Sequence, residues 1–281
     1  MSISTRFGAL VLASLCSLLT AAPSLRAHVV VWPSGHVVVA GEGEEEGATG
    51  EAALNEARAV KQAAYELEAG EARSAALLAA AEAYSRVSQN ERFELAARVE
   101  AAYRAGELLR THGSTELAVE RFARCVRLGE AAHVEEQPKL REFAARALLE
   151  QAHVQRRGKR FAEAAAGYAE VSARFAEVSR RAAQARGWQL RMLLEQEQLD
   201  AAVSLGGELV KHLDDDPLES VQGVDRLGAV LVEAGQEPEA QALVERLQQA
   251  LSPHLEGEGA AVERLRLALQ ELRVTVRLSV S

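Results

Sequence analysis

Cysteine is almost absent from the 281 residues: Cys16 and Cys125 are the only two. There is no CxxC pair and no Cys/His cluster, which leaves no framework for zinc. Aromatic residues make up 4% of the chain and proline occurs 6 times. A core with so few rings must be filled by Ala, Leu and Val, which favours closely packed helices over a β-sandwich. Lysine is scarce too, with 4 among 32 basic residues. The net charge is −9, a poor starting point for nucleic-acid binding. Motifs of catalysis are also missing: GxSxG, HExxH, a P-loop and a paired-glycine nucleotide fingerprint are all absent. The chain therefore reads as a non-enzyme with no cofactor and no metal.

Long hydrophobic runs are missing as well. The one apolar stretch of note, Phe7 to Leu19, is shorter than the roughly 20 residues that span a bilayer. It follows Arg6 and precedes small residues, the pattern of a secretory signal peptide over residues 1–27 with cleavage after Ala27. Loss of that segment removes Arg6 and Arg26 and no acid, taking the net charge from −9 to −11. The expected location is exported, periplasmic or extracellular. Only Cys125 would remain, so no internal disulfide would staple the fold.

Residues 28–51 hold two distinct pieces. The stretch HVVVWPSGHVVV has two Val-rich runs around a Pro-Ser-Gly turn and is expected to form a short β-hairpin. AGEGEEEGATGE follows, and its glycines and like charges read as a flexible acidic linker. From residue 52 to 273 the composition turns to Ala, Leu, Glu and Arg. Eleven helices are expected there, at about 52–69, 71–88, 91–110, 115–132, 138–157, 160–176, 179–196, 199–213, 218–234, 238–251 and 259–273. Gly70, Gly113, Gly158 and Gly235 punctuate them at spacings of 43, 45 and 77. A period near 40 indicates a solenoid of helical hairpins. Residues 274–281 alternate Val and Leu with Thr, Arg and Ser, which is strand periodicity and predicts a short extended tail.

The stretch YRAGELLRTHGSTELAVERFARCVRL, from Tyr103 to Leu128, carries a more specific pattern. Gly106 and Ala118 are small residues in two flanking helices, Gly113 lies in the turn, and Phe122 and Cys125 follow at helical spacing. This resembles a tetratricopeptide repeat, in which small residues let two antiparallel helices cross closely and a large one fills beside them. Gly228, Leu231, Gly235, Ala240 and Pro253 match the pattern again, and Ala152, Phe161, Ala164 and Tyr168 match it in part. The segment around Trp188 and Ala202 departs from it, with Gly206 where a large residue is expected. The resemblance implies an all-α, right-handed solenoid of about five hairpins with a C-terminal capping helix. It also suits a long-helix variant of the family, because the period exceeds the usual length.

The resemblance further implies that first-helix positions line a concave groove. Those positions are Glu100, Tyr103, Arg104, Glu107 and Arg110, then Arg146, Glu150, His153, Arg156 and Arg157, then Trp188 and Arg191, then Asp225 and Arg226. Seven of them are arginines, whose planar fork suits carboxylates. The candidate partner is a protein or peptide with an acidic or C-terminal segment, with self-association also open. Against this stand two plainer readings: the arginines only bridge to neighbouring acids, and Trp188 only packs between helices. A structural or oligomerising envelope component is the rival function. Cys125 falls at a packing position and is expected to be buried and inert. His112, His133, His212 and His254 lie near helix ends, where a partial positive charge is favourable.

Overall fold

The computed structural model describes residues 28–31, 37–40, 49–132 and 137–278. The signal-peptide reading of 1–27, most of the acidic stretch, and His133 lie outside the described residues. Strands β1 (His28–Val31) and β2 (Val37–Ala40) pair antiparallel, His28 opposite Ala40 and Val31 opposite Val37. The remainder is helical.

Eleven α-helices follow: α1 Gly50–Glu66, α2 Glu71–Gln89, α3 Leu95–His112, α4 Thr115–Glu130, α5 Pro138–Arg157, α6 Phe161–Arg174, α7 Ser179–Glu195, α8 Leu199–Lys211, α9 Pro217–Glu233, α10 Glu237–Leu251 and α11 Ala260–Leu278. Short-range chemistry sets many of the ends. The side chains of Thr49, Ser114 and Asp216 accept from the backbone N–H groups of Ala52, Leu117 and Glu219, so three helices open on a cap. Pro138 and Pro217 occupy first-turn positions where a missing N–H costs nothing. Gly235, at φ 74°, makes the left-handed turn between α9 and α10.

Two helix ends differ from the sequence expectation. Helix α3 begins at Leu95 rather than near residue 91, because the Asn90 side chain accepts from the Arg92 N–H at 3.0 Å and holds the backbone in a turn. Helix α11 continues to Leu278, so the extended tail expected from residue 274 is corrected over 274–278. Leu265, Leu269 and Leu272 are buried at helical spacing and seat α11 against α9 and α10. Once seated, the helix propagates at one hydrogen bond per residue, and this outweighs the alternating pattern of an unpaired strand. Residues 279–281 are outside the described residues.

Each hairpin packs against the next. Among the first helices, α1 touches α3, α3 touches α5, α5 touches α7 and α7 touches α9. The second helices α2, α4, α6 and α8 do not approach one another in this way, and only α8 and α10 do. First helices therefore lie on the inside of the curve. The architecture is an all-α solenoid of five hairpins, with α11 closing the C-terminal end. Its core is a strip of Ala, Leu and Val that divides at α7, where Ala185 and Met192 pack toward the N-terminal hairpins and Leu190 and Leu193 toward the C-terminal ones.

The Tyr103–Leu128 stretch shows why the small residues are needed. A Cβ on Gly106 would lie 2.6 Å from Cε1 of Phe122, whose ring is fully buried across the crossing of α3 and α4. Ala118 and Cys125 are also fully buried. At Gly206, where a large residue was expected, Leu227 and Leu243 reach in from α9 and α10 and fill the place. Polar ties then hold successive hairpins in register. Arg181 on α7 meets Glu142 on α5 at 2.8 Å, and Arg124 donates to the Ser88 carbonyl at the end of α2. Arg186, 7% exposed, is paired with Asp215 at 2.8 Å and pins the turn before α9 to α7.

Candidate functional site

The residues expected on one face do lie on the inner helices, and many touch one another across hairpins. Their arrangement is uneven along the solenoid.

In the N-terminal half the charges are matched. Arg104 on α3 sits 2.8 Å from Glu107 and 3.6 Å from Glu100, and Glu100 is also 2.9 Å from Arg58 on α1. Glu107 reaches Arg146 on α5 at 3.8 Å, and Arg110 reaches Glu150 at 3.1 Å. The contacts at i,i+3 and i,i+4 follow from one turn of helix. The cross-hairpin ones follow from α3 lying against α5. Cys125, behind this ladder, is buried, and burial raises its thiol pKa well above the usual range, so it is inert in the folded chain.

Tyr103, a candidate for partner contact, is corrected to a floor residue. It is 2% exposed, its ring packs 5.9 Å from Phe122 and 5.4 Å from Phe143, and Arg146 lies over it at 4.6 Å. The small-residue crossing draws the ring inward, and burial raises its hydroxyl pKa.

The C-terminal half is different. Trp188 on α7 is half-buried, with the guanidinium of Arg191 at 4.2 Å and that of Arg156 at 4.5 Å from its ring centre. Beneath it lie His153, edge-on at 5.2 Å, and Tyr168, stacked at 6.2 Å. His153 Nδ1 and the Tyr168 hydroxyl share a hydrogen bond of 2.6 Å. Burial, followed by Arg156, Arg157 and Arg110, lowers the His153 pKa to about 4, so the ring is neutral. Arg226 on α9 is close enough for its charge to depress the pKa of Arg191 further, after burial.

Few carboxylates answer these arginines. Among the described residues Arg156 and Arg226 have no ion-pair partner, and Arg191 has one loose contact, 3.9 Å to Glu219. The Nε atoms of Arg156 and Arg191 are buried without a hydrogen-bond acceptor. Trp188 is thus both things that its sequence position allowed: its ring packs against Tyr168 and His153, and it also carries two stacked cations.

No protein-family model matches the chain, and no curated protein matches it. Solved structures do resemble it. One is a kinesin light chain of nearly identical TPR-like repeats from Podosopora anserina, known in two crystal structures. Each is 16% identical with a TM-score of 0.45, covering 73% of this chain and 98% or 99% of that one. Another is BtubC (BKLC) from P. vanneervenii, 16% identical with a TM-score of 0.44, covering 75% of this chain and 94% of the other. The likeness is one of helical architecture, and the chemistry of the groove comes from this chain's own side chains.

Two residues that matter here were not singled out from the sequence. Glu219 sits in the first turn of α9, where an acid reads as ordinary helix-end chemistry, yet it meets α7. Tyr168 reads as a packing residue of α6, and only the fold shows its hydroxyl under the groove. A further recess, lined by Lys61, Tyr65, Arg104, Glu107, Leu108 and Arg110, opens between α1 and α3. Among the described residues no cluster of His, Cys, Asp and Glu could hold a metal, and no helix is long and apolar enough to cross a membrane.

Proposed function

We propose that this chain is an exported helical-repeat scaffold that takes an acidic or C-terminal-carboxylate segment of a partner protein on its concave side. The anchor is the arginine cluster around Trp188. The observation that supports this is the contrast along the groove. Arg104, Arg110 and Arg146 are already answered by Glu100, Glu107 and Glu150, whereas Arg156 and Arg226 are unanswered and Arg191 nearly so. Partly desolvated arginines that lack their counter-charge are strong acceptors of a ligand carboxylate. The Trp188 ring holds two of them in place, so little order is lost on binding.

The test is fluorescence anisotropy with a dye-labelled tetraglutamate peptide bearing a free C-terminus. The wild-type chain should bind it, and binding should weaken as salt rises from low to physiological. Arg156→Glu with Arg191→Glu should abolish binding while the helical circular dichroism stays unchanged. Equal binding by that folded double variant would refute the anchor. Export is tested separately, by N-terminal sequencing of the chain recovered outside the cytoplasm, which should begin at His28.

A further inference from the structure

Gly187 and Arg191 are one helical turn apart on α7, and Trp188 lies beside them. The glycine leaves a notch in the helix surface. That notch is filled by the Glu219 side chain from α9: a Cβ on residue 187 would lie 2.8 Å from the Glu219 Cδ and closer still to Oε1. A carboxylate in this place faces Arg191 on the next turn and, two turns along α9, Arg226.

The Glu219 carboxylate fits the notch but is poorly served there. It accepts no hydrogen bond among the described residues, and its single ion-pair contact, with Arg191, is 3.9 Å long. Its side chain is 20% exposed, so it can leave toward solvent. Burial pushes its carboxyl pKa up and Asp216 pushes in the same direction, against the pull of Arg191 and Arg226. The arginines are thus held by an acid that gains little from holding them.

We infer that the Gly187 notch is the carboxylate seat of the groove, and that Glu219 is a resident counter-ion which the partner's carboxylate displaces. This rests on the acidic-ligand reading of the groove. In the free protein Glu219 keeps Arg191 from pairing elsewhere and sets a threshold: a ligand must bind the notch better than the chain's own acid does. A single isolated carboxylate gains little by that exchange. A segment with several negative charges gains more, because it also meets Arg156 and Arg226.

Two variants separate this from a purely structural ion pair, with the same labelled tetraglutamate probe. Glu219→Gln removes the competitor, so affinity should rise by roughly three- to fivefold, the size of one exposed ion pair. Gly187→Ala fills the notch. It moves only the flexible end of Glu219, so the helix should stay folded, but it also excludes the ligand carboxylate, and affinity should fall roughly tenfold or more. If the wild type binds the probe and Glu219→Gln binds equally or more weakly, the resident-counter-ion inference is overturned while the groove reading stands. If Gly187→Ala stays folded and binds normally, the notch is not the seat. If the wild type does not bind at all, the groove reading fails, and this inference with it. Should Gly187→Ala lose its helical signal, the Glu219→Gln result decides alone.

Discussion

Two glycines in the middle of helices should respond in opposite ways to the same substitution. Gly106 lies in α3 and Gly207 in α8. Alanine is the better helix former by about 0.5–1 kcal/mol, so on propensity alone both changes stabilise. Their surroundings differ. The new methyl at 106 would stand 2.6–3.0 Å from three ring atoms of Phe122, and that ring is fully buried with Tyr103 packed beside it. It has no room to retreat, and overpacking of this kind costs about 1–3 kcal/mol. The new methyl at 207 would meet only the Arg246 guanidinium, at 3.5 Å. Gly106→Ala should therefore lose about 0.5–2 kcal/mol, and Gly207→Ala should gain about 0.5–1 kcal/mol. Urea denaturation followed by circular dichroism measures both, read as a shift of midpoint at constant slope. Adding Phe122→Leu to Gly106→Ala should recover part of what the two single changes lose, because the pair couples. If Gly106→Ala is as stable as the wild type or more so, α3 and α4 do not cross as closely as described.

Other outcomes follow from the same geometry. Ala118→Leu should destabilise by about 1–3 kcal/mol, because its site is fully buried at the crossing, while Ala131→Leu, at an exposed helix end, should do little; a comparison of melting temperatures decides. In a Cys16→Ser chain, Cys125 should resist a thiol reagent at mildly alkaline pH until urea unfolds the protein, since burial raises its pKa. His153 is held at about 4 in the folded chain against an ordinary value of 6.5. The unfolded chain therefore takes up a proton in that window that the folded chain does not. Stability should be fully present above pH 6.5 and fall as pH drops toward 4. His153→Gln should reduce that slope by about one proton in stability measured against pH. An unchanged slope would mean that His153 is solvated.

Much of the fold was legible because its signals are local. All eleven helices could be placed from apolar spacing, glycine breaks and caps, and the small residues Gly106 and Ala118 pointed to a close crossing before Phe122 was seen against them. The misplaced ends had local competitors: an Asn90 turn that delays α3, and a seated α11 that carries alternating residues onward as helix. The groove was legible only as a set. Spacing put seven arginines on inner helices but could not divide them, because the acids that neutralise Arg104, Arg110 and Arg146 lie on the same helices as residues of equal prominence. Which arginines stay unanswered depends on how α5, α7 and α9 lean together. The seat at Gly187 joins residues 187 and 219, and no periodicity links these two.

The most direct test of the groove uses Trp188 as its own reporter. In a Trp32→Phe chain, Trp188 is the one tryptophan, and any anion that draws Arg191 or Arg156 off its ring must change its emission. Titration with unlabelled tetraglutamate should give a saturable change that shrinks with salt and is absent with a tetraglutamine peptide capped as an amide. The same titration of the Arg191→Glu variant should be flat. An identical response to both peptides, or none to either, would contradict an acid-binding groove at Trp188.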